Sequence, residues 1–186
     1  FYKEGLPKTE NLSFVAYKDE NLRVAALEAG DVDIIEYVPW QAMDQVESNG
    51  NLALDTTDGP FMYLIFNVTQ GPFANPKVRD AVGYAIKRED VMAAAFFGRG
   101  RPLYGMPVPE SSYFFNADLA NHWSYNPDKA KALLAEAGYG DGFSCTLLST
   151  AQYGMHTDTA AVCQQYMQQI GIDVQMNLPD WATRVD

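Results

Sequence analysis

The chain is poor in cysteine, histidine and positive charge, and each shortage removes a class of function. Its two cysteines, Cys145 and Cys163, permit one disulfide and cannot form a disulfide framework. Each sits in an apolar periodic segment, the setting of a buried small hydrophobe. His122 and His156 have no partner at metal-ligand spacing, so no metal and no cofactor are expected. Cys163 has no recognisable histidine partner for thiol catalysis. Lysine and arginine number 13 against 24 aspartates and glutamates, a net charge of -11. Such a surface lacks the basic footprint that nucleic acid or an anionic membrane requires, and no nucleic-acid partner is expected. No apolar run approaches the roughly 18 residues that span a bilayer. The chain begins at Phe1 without an initiator Met or a signal peptide and reads as a piece of a longer protein.

What is present is an ordinary globular balance. Hydrophobic residues make up 47% and charged residues 20% of the 186 positions, enough for one domain or one and a half small ones. Apolar alternation predicts strands at 12–17, 31–35, 52–55, 61–67, 143–148 and 172–176. Asp19 or Asn21 is placed to cap a short helix ending at Gly30. Pro39 opens a helix over about 40–49, Pro76 another through Ile86, and a further one spans 88–97. Asp58-Gly59-Pro60 reads as a turn, and residues 98–126 as a proline-marked loop. Asn126-Pro127 then opens a strongly patterned helix that Gly138 stops, and a helix covers 157–169. Strand 143–148, that helix and strand 172–176 form a βαβ unit, which requires parallel pairing. Asp180-Trp181-Ala182 starts another helix. Segment 61–67 is apolar on both faces, which predicts cover on both sides.

The sharpest stretch is Tyr63-Leu64-Ile65-Phe66-Asn67, then Gly71-Pro72-Phe73, then Asn75-Pro76-Lys77-Val78-Arg79-Asp80-Ala81-Val82. It resembles the family 5 extracellular solute-binding proteins of ABC importers. Ala25 to Ile34, Asn126 to Gly142 and Ile170 to Val174 are similar to further segments of that family, in the correct order. The resemblance implies an α/β, periplasmic-binding-protein-like (type II) architecture of two lobes around a ligand cleft, here a partial chain with a mixed sheet flanked by helices. Residues 1–58 would end lobe I, and residues 59–186 would begin the C-terminal lobe. The implied function is binding of a peptide or related small solute without catalysis, for delivery to an ABC permease in the membrane. The implied location is periplasmic or extracellular, with a lipid anchor in a Gram-positive host. Nickel, sugar and opine ligands stay open, as does a ligand-sensing module of a regulatory protein with the same fold.

On that reading Tyr63, on the crossing strand, is either a ligand contact or a half-buried core tyrosine. Tyr37 and Trp40 follow the strand 31–35, and in open α/β sheets ligands gather outside the carboxyl ends of strands. Trp40 therefore reads as a cleft wall or as a residue packed on its own lobe. Arg101, Tyr104 and Met106 sit in a loop that either reaches the cleft or wraps the surface. Asp31/Asp33 and Asp55/Asp58 are paired carboxylates, which read as solvated turn residues or, for a hydrolase, as an acid–base pair. Lys129, Lys131, Arg79 and Asp80 read as solvated helix faces. Asn67-Val68-Thr69 and Asn11-Leu12-Ser13 match the glycosylation sequon, with Asn67 better read as a strand-end residue. Apolar sheet edges are expected to be exposed, and the piece to dimerise through them.

Overall fold

The βαβ unit at 143–177 organises the larger of two apolar clusters among the described residues. In the computed structural model, which describes residues 3–57, 59, 61–108 and 110–185, β1 (Phe143–Leu148) pairs in parallel with β2 (Ile172–Asn177), from Phe143 opposite Ile172 to Leu148 opposite Asn177. The crossover is α6 (Gly154–Gln169), which packs on β2. Ile172 and Val174 are the buried residues of β2, and Cys163, Met167 and Ile170 meet them from α6 and its end. Parallel pairing demands such a crossover, because a tight turn cannot return the chain in the same direction. Gly142 at the entrance to β1 has φ of 82°, and a Cβ there would lie 2.1 Å from the Gly171 carbonyl oxygen. Only glycine admits that approach of two backbones.

Three of the helices carry a side-chain cap at the start that the sequence signals. α1 (Glu20–Ala29) is capped by Asp19, whose Oδ1 accepts the Asn21 and Leu22 N–H groups, and it ends at Gly30 in the left-handed region. A short 3-10 turn, Trp40–Ala42, leads into α2 (Met43–Ser48). Asn75 caps α3 (Pro76–Ala85), and α4 (Arg88–Phe96) follows at once. Asn126 caps α5 (Pro127–Glu136) by accepting from the Lys129 N–H at 3.0 Å. The last helix, α7 (Trp181–Val185), has its Thr183 N–H bonded to Asp180. α3 packs on α5 and α4 on α6, placing Val78, Ala81, Val82, Ala130 and Leu134 in the main cluster. A second, smaller cluster of Val24, Ala42 and Val46, with Ile35, Val38, Leu52 and Leu54 against it, belongs to the N-terminal segment.

Loop 98–126 is tied down by Arg88, whose Nη1 donates to the carbonyls of Gly83, Ile86 and Trp123 at 3.0–3.1 Å. The absence of a side chain at Gly83 makes room for the Trp123 ring, whose Nε1 donates to Asp80. Arg79 donates to the Phe73 and Ala74 carbonyls, and Lys129 to the Tyr84 hydroxyl. Arg79, Asp80 and Lys129, expected as solvated helix faces, thus hold neighbouring elements in place.

Several strand expectations are corrected. Segments 12–17, 31–35, 52–55 and 61–67 form no strand, and the described residues make one parallel pair where a mixed sheet was expected. A strand is stabilised by its ladder, and these segments find no ladder partner among the described residues. Segment 61–67 is not covered on both sides: Leu64 and Phe66 pack on the main cluster, while Phe61, Tyr63 and Ile65 are exposed, Ile65 by 82%. Asn67 accepts from the Thr69 N–H and hydroxyl at its end. Helix 157–169 begins three residues earlier, at Gly154. Both cysteines are free; burial pushes the Cys163 thiol up to about 11, so it is an inert core group. The turn at Asp58-Gly59-Pro60 and the Asp55/Asp58 pair involve positions outside the described residues.

Leu134 is 1% exposed at the α3–α5 contact. Leu134→Ala is expected to destabilise the protein by about 2–5 kcal/mol, through lost burial and the cavity left behind. Chemical denaturation checks this, and a loss below about 1 kcal/mol would mean that the contact repacks freely.

Candidate functional site

Both strands of a parallel pair finish on the same side, and here the chain beyond those ends builds a cleft. After β1, the Ser149 and Ala151 N–H groups donate to the carbonyls of Asn177 and Pro179, and the Thr150 hydroxyl donates to Pro179 at 2.9 Å. These bonds lock the two strand ends together. Tyr153 follows β1 and Trp181 follows β2, and their rings meet edge to face at 6.0 Å. His156, in the first turn of α6, lies against both. Burial, with the positive charge of Arg184 adding, pushes the His156 imidazole below its ordinary 6.5. It is therefore neutral at pH 7.

The opposite wall comes from the N-terminal segment. Tyr37 packs edge-on to Tyr153 with ring centroids 5.7 Å apart, and the Arg23 guanidinium carbon stands 5.4 Å from the Tyr37 ring centre. Burial first, and then the negative charge of Glu20, pushes the Tyr37 hydroxyl up to about 12, so it remains a neutral hydrogen-bond donor. The backbone at Tyr37 has φ of 63°, in the left-handed region that a bulky side chain rarely enters. Together Arg23, Glu36, Tyr37, Tyr153, Met155, His156 and Trp181 line an open cleft of about 260 Å³. A second cleft of about 420 Å³ lies between residues 18–21 and Ala151, Gln152 and Gly154. Residues 151–156 are divided between the two, Ala151, Gln152 and Gly154 lining the larger and Tyr153, Met155 and His156 the smaller.

Three sets of contacts hold the N-terminal segment against the rest of the chain. Glu20, 9% exposed, accepts the Gly154 N–H through Oε1 at 3.2 Å, and the Gln41 amide also donates to it. A carboxylate at the start of a sixteen-residue helix satisfies an amide that has no partner within the helix, and it faces the positive end of the helix dipole. Trp40 donates its indole N–H to the Met155 sulfur at 3.1 Å and packs edge-on to Phe96 at 5.0 Å. Arg99, just beyond α4, bonds Asp44 and Glu47 at 2.5 Å each.

The structure therefore brings Tyr37 and Trp40 together. Tyr37 lines the cleft and Trp40 stands behind Met155. Tyr63 lies outside both clefts, 61% exposed with its ring beside Phe61. Arg101, Tyr104 and Met106 line neither cleft; the Tyr104 ring covers Arg88, and its hydroxyl donates to Glu89. Asp31 and Asp33 are exposed beside the Gly30 cap. Arg23, Glu20, Glu36, Tyr153, His156 and Trp181 escaped sequence reasoning as site residues. For Tyr153 and Trp181 the available signal was their place just beyond the carboxyl ends of two parallel strands.

The Glu47 carboxyl is held below its ordinary 4.5 chiefly by the hydrogen bond from Arg99. A carboxyl lowered on folding contributes its stability in full above the unfolded value and loses it as pH falls through the folded one. The thermal-stability gap between the wild type and Arg99→Ala is thus expected to be constant above pH 4.5 and to close below it. Paired melting curves across pH check this, and a gap independent of pH would show that the Arg99 contact is not ionic.

Comparison with known proteins fits this arrangement. The chain is 36% identical over 185 residues to the glutathione-binding protein GsiB of Salmonella typhi, covering 99% of this chain and 36% of that protein. It is 35% identical to GsiB of Escherichia coli K12 over the same span. The chain thus spans little more than a third of the length of these curated relatives. Among solved structures, the periplasmic binding protein AgaA of A. tumefaciens R10, in complex with agropinic acid, matches with a TM-score of 0.90 and 42% identity, over 99% of this chain and 38% of that one. DppA of Helicobacter pylori, in complex with the peptide STSA, matches with a TM-score of 0.79 and 26% identity, over 89% of this chain and 32% of that one. These likenesses give the chain the fold of a segment of a type II periplasmic binding protein. The sequence model of the bacterial extracellular solute-binding proteins, family 5 Middle, matches residues 1–186, and the chain belongs to that family.

Proposed function

We propose that the chain is the interlobe region of the substrate-binding component of an ABC-type importer, and that it binds a peptide or related small solute without catalysis. Residues 1–58 end lobe I and residues 59–186 begin the C-terminal lobe. The observation that carries this reading is the cleft walled by Arg23, Glu36 and Tyr37 on one side and by Tyr153, His156 and Trp181 on the other. A solute held there touches both sides and so favours the closed arrangement of the lobes. Aromatic walls with a few convergent polar groups are the usual make-up of a small-molecule site. The parent protein works in the periplasm or outside the cell and hands its solute to a membrane permease, as the family membership supports.

Peptides are the first ligand class, supported by the relatives described as binding glutathione and the peptide STSA. An opine-type acid is the second, favoured by the 42% identity to AgaA.

Isothermal titration of the ligand-stripped full-length parent with glutathione, Ser-Thr-Ser-Ala and agropinic acid tests the proposal. Binding of at least one is expected, with Tyr37→Ala weakening it about tenfold or more, as for an aromatic anchor in a pocket. Binding of none, with no small molecule retained on purification, would overturn it. The exposed Phe61, Tyr63 and Ile65 belong, on this reading, to faces that the rest of the parent covers. The isolated 186-residue piece is accordingly expected to self-associate, and a monomer by light scattering at high concentration would count against that cover.

A further inference from the structure

Acidic residues outnumber basic ones by 24 to 13, so a basic side chain in this chain has carboxylates in excess to pair with. Lys77 pairs with Glu136, Lys87 with Asp90, and Arg99 with Asp44 and Glu47. Arg23, which lines the cleft, and Arg184, which rests on the cleft residue Trp181, behave differently. Arg23 lines the cleft with its guanidinium over the Tyr37 ring, and its Nε is shut from solvent with no hydrogen-bond partner among the described residues. Arg184 lies over the Trp181 ring at 5.1 Å, with one terminal nitrogen in the same state. Neither makes an ion pair among the described residues. Acidic groups are close by: Glu20 precedes Arg23 by one helical turn, and Glu36 lines the same cleft. Glu20 is turned instead to the Gly154 amide.

An arginine resting on an aromatic face keeps its in-plane N–H fork available, and that fork matches the two oxygens of a carboxylate. Resting on the solute-binding reading above, we propose that the cleft selects its solute by a carboxylate, which Arg23 receives, with Arg184 as a second cation on the Trp181 side. The neutral Tyr37 hydroxyl is a further donor on the same wall. Glu36, on the same wall, offers a carboxylate to a positive group, so the ligand class is a small zwitterionic acid that carries its carboxylate toward Arg23. A peptide α-carboxylate and an amino-acid-derived acid share this chemistry.

The test offers the ligand-stripped full-length parent a mixture of tryptic casein peptides, glutathione and agropinic acid, each as free acid and as methyl ester. Mass spectrometry then reads the retained acid-to-ester ratio and shows which source of carboxylate is held. The wild type is expected to favour acids about tenfold or more, the scale of one charge-assisted hydrogen bond. Arg23→Gln is expected to bring the ratio close to one, and Arg23→Lys to keep part of the preference. Solutes retained by the wild type at a ratio near one would overturn carboxylate selection while leaving the solute-binding reading intact. A preference unchanged in Arg23→Gln would overturn the role of Arg23. Retention of nothing by the wild type would overturn the solute-binding reading, and the selection with it. Should Arg23→Gln fail to melt cooperatively, the Arg23→Lys ratio decides, and an unchanged tenfold preference there together with unchanged affinity would count against a bidentate contact.

Discussion

Parallel pairing of β1 with β2 is the constraint on which the rest depends. Two parallel strands cannot be joined by a hairpin, so a helix must carry the chain back across the sheet. Residues 154–169 do this, and their apolar face, with Cys163 and Met167, closes the main cluster over Ile172 and Val174. The same geometry releases the chain from both strands on one side. Residues 149–153 and 178–181 must therefore occupy neighbouring space, and the bonds from Ser149, Thr150 and Ala151 to Asn177 and Pro179 fix how they do so. The aromatic wall of the cleft is a direct product of this topology.

The crossover helix also creates a need that its own sequence does not meet. Tyr153 at its N-cap offers no capping side chain. The first amide, at Gly154, is satisfied by Glu20, from a helix that begins 134 residues earlier in the chain. The N-terminal segment is thereby held against the strand ends, with Trp40 on Met155 and Phe96 and with Arg99 on Asp44 and Glu47 adding to the same contact. The exposed ion pairs add little on their own. The buried carboxylate on a helix start and the packed indole carry more, because water competes less for them.

Legibility followed locality. Helices at 20–29, 76–85 and 127–136 were readable because Asp19, Asn75-Pro76 and Asn126-Pro127 signal their starts within a few residues. The βαβ unit was readable because apolar strands of matched length flank one amphipathic helix. Segments 12–17, 31–35, 52–55 and 61–67 carry strand composition, but composition records the side chains and not the neighbour that completes a ladder. The start of α6 was misplaced because Gly154 looks like a breaker until Glu20 is brought beside it. Tyr37 and Trp40 were legible from their place after an apolar segment. Tyr153, His156 and Trp181 join them only through the parallel register, and Arg23 only through the ring on which it rests.

Tyr37 joins two demands that pull against each other. Its backbone holds a left-handed conformation that glycine or asparagine would adopt with less strain, at a cost for other side chains of about 1–3 kcal/mol. Its ring nevertheless carries the Arg23 guanidinium on one side and the Tyr153 edge on another. A search for a sturdier protein would drift toward a smaller residue at this position and would lose the wall of the cleft in doing so. Position 37 is thus where the backbone conformation and the ring packing ask for different residues, and tyrosine there answers the packing.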